Sequence, residues 1–431
     1  MHKKLVEICV IFLFIVATVI PSTGQLAEKI SLSRSRGTTL YVGGDGPGNY
    51  STIQDAVNAS SDGDIVFVFQ GSYHEKIMIN KSISVLGENA SRTFINNSGT
   101  DWTQQIILIR SHDVVFSGFT VVLEGNYVGI RLDNSQNCTL TYNIMKSGYI
   151  DLQSSNYTTI DSNYFLGGGI SIASMGILST SSANIIKHNW IFNSTYDGIM
   201  LFLYAKDTVI SDNYLFHCSG QAIFSYSPYR NIIERNVIQQ NISNGKNGIA
   251  FYLEYSESMP PGNIIRENDI GGCAVGIATK GDYFTITDNF VHDNDWGMEL
   301  FTFSFYHVTV SNNTFMNDHL GLDLQNGMDG SMVERNVFYG CGGALNLDTC
   351  QGLTVRYNNL TSNSRAIFSA ESKSNIFSQN NIIGNHRDVL SILSRDIWQG
   401  NYWNRPRFLP KLIVGILPFI QFDWHPAQQP N

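Results

Sequence analysis

Ile233-Glu-Arg-Asn236-Val-Ile238, Ile265-Arg-Glu-Asn268-Asp-Ile270 and Ile286-Thr-Asp-Asn289-Phe-Val291 are one phrase written three times: apolar, two residues, Asn, one residue, apolar. It begins at Leu140-Thr-Tyr-Asn143 and returns at Asn163, Asn189, Asn213, Asn313, Asn336, Asn358, Asn380 and finally Trp398-Gln-Gly-Asn401. Eleven intervals over 258 residues give a period of about 23.5. Some 7 to 12 residues past each Asn a second short apolar run opens, often on Gly, as at Gly198-Ile199, Gly248-Ile249, Gly276-Ile277, Gly297-Met298 and Gly321-Leu322. No helical run separates the two. A unit this short cannot bury its own apolar face, so like coils must stack on like. The chain is therefore expected to be all-β, a single-stranded right-handed parallel β-helix of ~22–24-residue coils. The hand follows from the crossover rule. The stacked asparagines become an amide ladder that satisfies turn backbone.

The chain has 431 residues, 27 Lys+Arg against 36 Asp+Glu, and a formal charge of −9. That balance disfavours a phosphate-backbone binder, so no nucleic acid partner is expected. Charged residues make up 15% and aromatics 12%, which argues against disorder. Met1-His-Lys-Lys followed by the apolar run Ile8–Ile20 and Pro21-Ser-Thr-Gly24 has a signal-peptide layout, with an uncleaved anchor as its alternative. Either way the protein is expected to be exported: secreted, cell-surface or periplasmic, with no transmembrane helix after signal cleavage. The expected organisation is signal peptide 1–24, N-terminal linker 25–45, cap and first coils 46–95, β-helix repeats 96–404 and a C-terminal cap or tail 405–431. Cys138, Cys218, Cys273, Cys341 and Cys350 remain after the signal, an odd number without Cys-x-x-Cys, so neither a disulfide framework nor a zinc site is expected. Cys218, Cys273 and Cys341 each fall five residues past a ladder Asn, in a small-residue turn column.

A β-helix has open ends that need covering. Ser51-Thr-Ile-Gln54 reads as a capping box that opens a short helix through Ala59. That segment, with Gly63-Asp-Ile-Val-Phe-Val-Phe-Gln-Gly71 and Ile83-Ser-Val-Leu-Gly87, resembles the leader of secreted right-handed β-helix proteins, including pectin methylesterases and the NosD-like (periplasmic copper-binding) family. The Asn ladder and Asn401-Tyr-Trp403 look more like the NosD-like and carbohydrate-binding or sugar-hydrolase group, over roughly residues 40–404. The resemblance implies the fold and, for NosD, help in loading copper into nitrous oxide reductase. The histidines keep no ladder register, and the pectin methylesterase, polygalacturonase and pectate lyase motifs are absent.

Aligning the second runs places one outward column at Met200, Phe224, Ala250, Ala278, Glu299, Asp323, Asn346 and Phe368. Glu299 and Asp323 are vertical neighbours, as are Asp295 and His319, with Asp293 and Asp318 beside them. The four residues Asp295, Glu299, His319 and Asp323 are the candidate catalytic set. A carboxyl pair one strand spacing apart suits sugar hydrolysis, and a nearby His suits lyase or epimerase chemistry. A calcium-like divalent cation is the cofactor such a pair would hold, and a solvated polar column is the ordinary alternative. A second column offers Phe202, Tyr226 and Tyr252, beside Phe224, as a strip on which sugar rings could stack; an aromatic turn stack is its alternative. Polysaccharide or glycan is the expected partner, with a structural or accessory scaffold as the rival.

Overall fold

The computed structural model describes residues 37–96, 105–123, 125, 128–173, 180–202, 205–226, 229–252, 262–281, 283–301, 307–416 and 420–431. The stretch 1–24, read above as a signal peptide, lies outside them, as does most of the connection from Tyr252 to Gly262.

The coil is built around a backbone turn. The residue before every ladder asparagine sits in the left-handed region; Tyr142, His188, Arg235, Tyr357 and Gln379 all have φ between 52° and 58°. That residue breaks the strand, and the asparagine after it starts the next one on a new face. One coil thus reads Val209–Ser211 in a first sheet, Tyr214–Phe216 in a second and Ile223–Tyr226 in a third, before Ile232–Glu234 returns to the first. The coil-to-coil pairings are parallel, with columns such as Ile210↔Ile233↔Ile265↔Ile286, and among the described residues the register shifts at Val128/Ile130 and at Lys373/Ile376. The second and third sheets each hold fifteen strands among the described residues, and the chain is a right-handed parallel β-helix of about fifteen turns.

A typical coil sends one apolar side chain inward from the first and second sheets and one or two from the third, as with Met298 and Leu300. Ile210, Leu215 and Ile223 are fully buried, as are Ile233, Ile238 and Ile249 in the next coil. Each such side chain contributes about 1.5–3 kcal/mol by leaving water. The glycines that open the third-sheet strands have a packing reason. A Cβ at Gly276 would lie 2.5 Å from the Gly297 carbonyl oxygen, and one at Gly297 would lie 2.6 Å from that of Gly321.

The asparagine column is a hydrogen-bonded ladder, and all twelve members are buried. Asn213 donates its backbone N–H and its Nδ2 to Asn236 Oδ1, both at 3.0 Å. Asn236 donates in the same two ways to Asn268, also at 3.0 Å. The series runs to Asn401, whose N–H and Nδ2 reach Asp423 Oδ2 at 3.0 and 3.1 Å.

The N-terminal end differs in detail from the expectation. The helix spans Ile53–Ala59, but its N-cap is Thr52 rather than Ser51, and Asp55 rather than Gln54 completes the box. Thr52 Oγ1 donates to Asp55 Oδ2 at 2.6 Å and accepts from the Asp55 N–H at 3.1 Å. The physical reason lies outside the helix: Glu75 accepts from the N–H groups of Ile53 and Gln54, which leaves Gln54 Oε1 to accept from the Met78 N–H. The first strand, Thr39–Val42, falls inside the stretch read as linker and pairs in parallel with Ile65–Val68. Beyond the repeats, Lys411–Ile413 pairs antiparallel with Gln421–Asp423 over the C-terminal end.

Candidate functional site: the outer face of the third sheet

The two outward columns are real neighbours. Register runs Met200↔Phe224↔Ala250↔Ala278↔Glu299↔Asp323↔Asn346↔Phe368 in one, and Tyr226↔Tyr252↔Lys280↔Phe301↔Gln325↔Asp348 in the other. Pointing outward does not mean solvated: Ala250, Ala278 and Asp323 are all buried.

The aromatic strip forms. Phe202 stacks on Tyr226 with ring centroids 5.8 Å apart and planes 19° from parallel. Phe224 meets Tyr252 at 5.8 Å and 58°, so the two columns lean on each other. The Tyr252 hydroxyl accepts from Asn247 Nδ2 at 3.2 Å, and the Lys280 ammonium stands 5.2 Å from its ring centroid. Burial, then the nearby Glu299 charge, pushes the Tyr252 hydroxyl above the ordinary tyrosine range.

Above Lys280 the face turns acidic. Glu299 and Asp323 are register partners one strand spacing apart. Asp323 accepts from Gln325 Nε2 at 2.6 Å and from Asn346 Nδ2, while the same Gln325 amide lies 3.4 Å from Glu299 Oε1. Burial first, and the Asp323 charge second, raise the Glu299 carboxyl, with Lys280 opposing. Asp323 is 2% exposed with an amide donor on each oxygen, so Glu299 is the carboxyl that a ligand can reach.

Asp295 and His319 do come together, with Nδ1 3.2 Å from Oδ1, but as a separate exposed pair. Asp295 lies at the bend before the strand Trp296–Phe301 that carries Glu299. Among the described residues no hydrogen bond joins the Asp295–His319 pair to Glu299 or Asp323, so the four residues are two pairs rather than one hydrogen-bonded set. No group of three or more His, Cys, Asp or Glu among the described residues could hold a metal ion.

Outward columns also run along the second sheet. Outward residues one and three past the ladder Asn give Tyr164, Trp190, Phe192, Tyr214 and Phe216 on the second sheet. Trp190 stacks on Tyr214 at 4.3 Å and Phe192 on Phe216 at 5.2 Å and 6°. Those ring faces cover one another, which makes the group a structural stack. On the third sheet, the same columns extend N-terminally to Arg131, Asp151, Asp133 and Gln153.

A model of the periplasmic copper-binding protein NosD matches residues 250–404, and one of the right-handed β-helix region matches 83–258 and 128–291. The chain is a right-handed β-helix repeat protein that is NosD-like over residues 250–404. A curated relative, the cell surface glycoprotein of Methanothermus fervidus, is 26% identical over 54% of this chain. The chain spans 40% of the length of that relative. Among solved structures, the Dettilon tailspike protein is similar with a TM-score of 0.55 at 14% identity, over 70% of this chain and 68% of its own. An alginate lyase from Paenibacillus sp. str. FPU-7 gives 0.50 at 11%, over 62% and 99%. Both likenesses are of fold.

The copper that the NosD description implies finds a poor fit in the described residues. All five described cysteines are buried, and burial pushes the Cys218 and Cys341 thiols up to about 12, far from the thiolate a copper ion needs. Both ring nitrogens of His292 are engaged by carboxylates, Asp269 at 2.9 Å and Asp293 at 2.8 Å.

Proposed function

We propose that this NosD-like chain is an exported surface or periplasmic protein that engages polysaccharide along the outer face of its third sheet. One observation carries the reading. Two adjacent outward columns present Phe202, Phe224, Tyr226 and Tyr252 on consecutive coils and pass through Lys280 to the reachable carboxyl of Glu299. Aromatic rings take the apolar faces of sugars, and amides, ammonium and carboxyl groups take their hydroxyls. The cell-surface relative supports the location. The enclosed state of Asp323 favours binding over hydrolysis by a carboxyl pair, because both its oxygens already accept from amides.

The test is binding of labelled oligosaccharides to the wild type and to the Tyr226→Ala/Tyr252→Ala variant. Two rings at about 0.5–1.5 kcal/mol each predict a loss of about fivefold or more in affinity, with the far-ultraviolet circular dichroism unchanged. Equal affinity in the two proteins would remove the strip from the site and leave the scaffold reading.

A further inference from the structure

The same two columns carry a different chemistry at their N-terminal end. A cleft of about 310 Å³ opens there, lined by Gln105, Leu108, Arg110, Arg131, Asp133 and Gln153. Two arginines line it, each tethered by a carboxylate from the following coil. Arg110 Nε donates to Asp133 Oδ2 at 2.8 Å and Arg131 Nε to Asp151 Oδ2 at 3.0 Å. Asp151 is 3% exposed and also accepts from Gln153 Nε2 on both oxygens, at 3.2 and 3.0 Å. The aspartates thus fix the two arginines by their Nε edges. The Nη nitrogens of neither arginine bond to a described residue. A guanidinium held this way presents a preset fork of N–H donors. Since the cleft is neutral when empty, its preference comes from directed donors rather than from net charge.

The cleft and the aromatic strip share one sheet face. Asp151 and Gln153 are the register partners of Ser171 and Ala173, and Ser171 is that of Met200. The two small side chains make a low floor between the arginines and the rings. From the Arg131 strand to the Tyr252 strand is five spacings, about 24 Å along the axis.

We infer that the Arg110–Arg131 cleft receives an anionic oxygen group carried on a sugar, so that the polysaccharide engaged by this face is an acidic one. The inference rests on the polysaccharide reading above and names its substrate class. The paired forks take the anion, Leu108 lies against the apolar part of its ring, and Asp133 and Gln153 are placed for hydroxyls.

The experiment compares three fluorescent oligosaccharides of equal length on the full chain: an oligouronate, its carboxyl-reduced neutral counterpart and a sulfated form of that counterpart. At least one anionic probe should bind the wild type ten times more tightly than the neutral one. Which one does so separates carboxylate from sulfate. Arg110→Gln/Arg131→Gln should bring that ratio to about one while neutral affinity stays within twofold. If the double variant loses its far-ultraviolet signal, Arg131→Lys replaces it, keeping the charge without the fork, and the ratio should fall at least threefold. A ratio near one in the wild type, or an undiminished ratio in the variants, overturns the inference. In that case, neutral binding that still depends on Tyr226 and Tyr252 leaves the polysaccharide reading standing. No binding of any probe overturns both.

Discussion

Asp318 shows what one atom does inside a ladder. It occupies the turn column of Asn294, Asn363 and Asn385, and its Oδ1 accepts from the Asn294 N–H and Nδ2 at 2.9 and 3.0 Å. The side chain is 1% exposed, and Oδ2 has no partner among the described residues. In neighbouring coils the second atom at this place is an amide nitrogen that donates to a carbonyl, as Asn363 does to Phe338. An oxygen there lacks a donor unless it carries a proton. Burial accordingly pushes the carboxyl up to about 7, well above its ordinary 3.8. The sign follows: the folded chain holds this proton more tightly than the unfolded one, so the stabilisation is complete below about pH 4 and drains away as pH rises through 7. Three pH units correspond to a loss of at most about 4 kcal/mol. Asp318→Asn supplies the missing donor permanently. The variant should match the wild type near pH 4 and exceed it by about 1–4 kcal/mol at pH 8, in urea unfolding across that range. Parallel pH profiles for the two proteins would contradict the account.

At the scale of the turn and its ladder, the left-handed residue and the asparagine after it work together. A non-glycine residue in that region costs about 1–2 kcal/mol, and each amide holds the backbone of the coil before it. Asn236→Ala should therefore cost about 1–3 kcal/mol, because Asn213 loses the acceptor of both its N–H and its Nδ2 while buried. Thermal unfolding of Asn236→Ala and Asn313→Ala would show it, and near-zero losses at both would contradict it. The asparagine was legible in the sequence because the position requires one side chain. The residue before it was not: Tyr142, His188, Arg235 and Gln379 share one φ because the backbone alone makes the bend. The outward columns were legible too, since adding one period to Tyr226 or Glu299 lands on the coil above. That arithmetic fixes height along the axis only. It aligned Asp295 with His319 and Glu299 with Asp323 without keeping the pairs together. The arginine cleft escaped because concavity depends on the small neighbours Ser171 and Ala173, which carry no chemistry of their own.

Across the whole molecule, each coil touches only the next, so damage should stay local. The C-terminal closure puts this to the test. Asp423 is fully buried; its Oδ2 accepts from Asn401 N–H, Asn401 Nδ2 and Trp403 Nε1, and its Oδ1 accepts from the N–H of Gly400 at 3.1 Å. Asp423→Asn keeps the shape but turns an amide towards donors that expect an acceptor, at a cost of about 1.5–3 kcal/mol for the charge-assisted bonds. Amide exchange should quicken over the last coils, around Asn380–Trp403, and stay at wild-type rates around Ile210–Ile238. Uniform acceleration along the chain would mean that the coils do not open independently.

The ladder that ends at Asp423 has a head and a tail. Every link hands an oxygen to the coil before it and asks for one from the coil after it, so the column opens on an ordinary peptide N–H, that of Phe119, and needs an acid only at its far end. A copied coil spliced into the middle would arrive with both demands met, and the molecule could lengthen by whole turns at no local penalty. Trimming from the tail would leave the new last asparagine asking for an oxygen that no longer exists. Length in such a protein is therefore free to grow from within, while the acid that stops the column has to stay last.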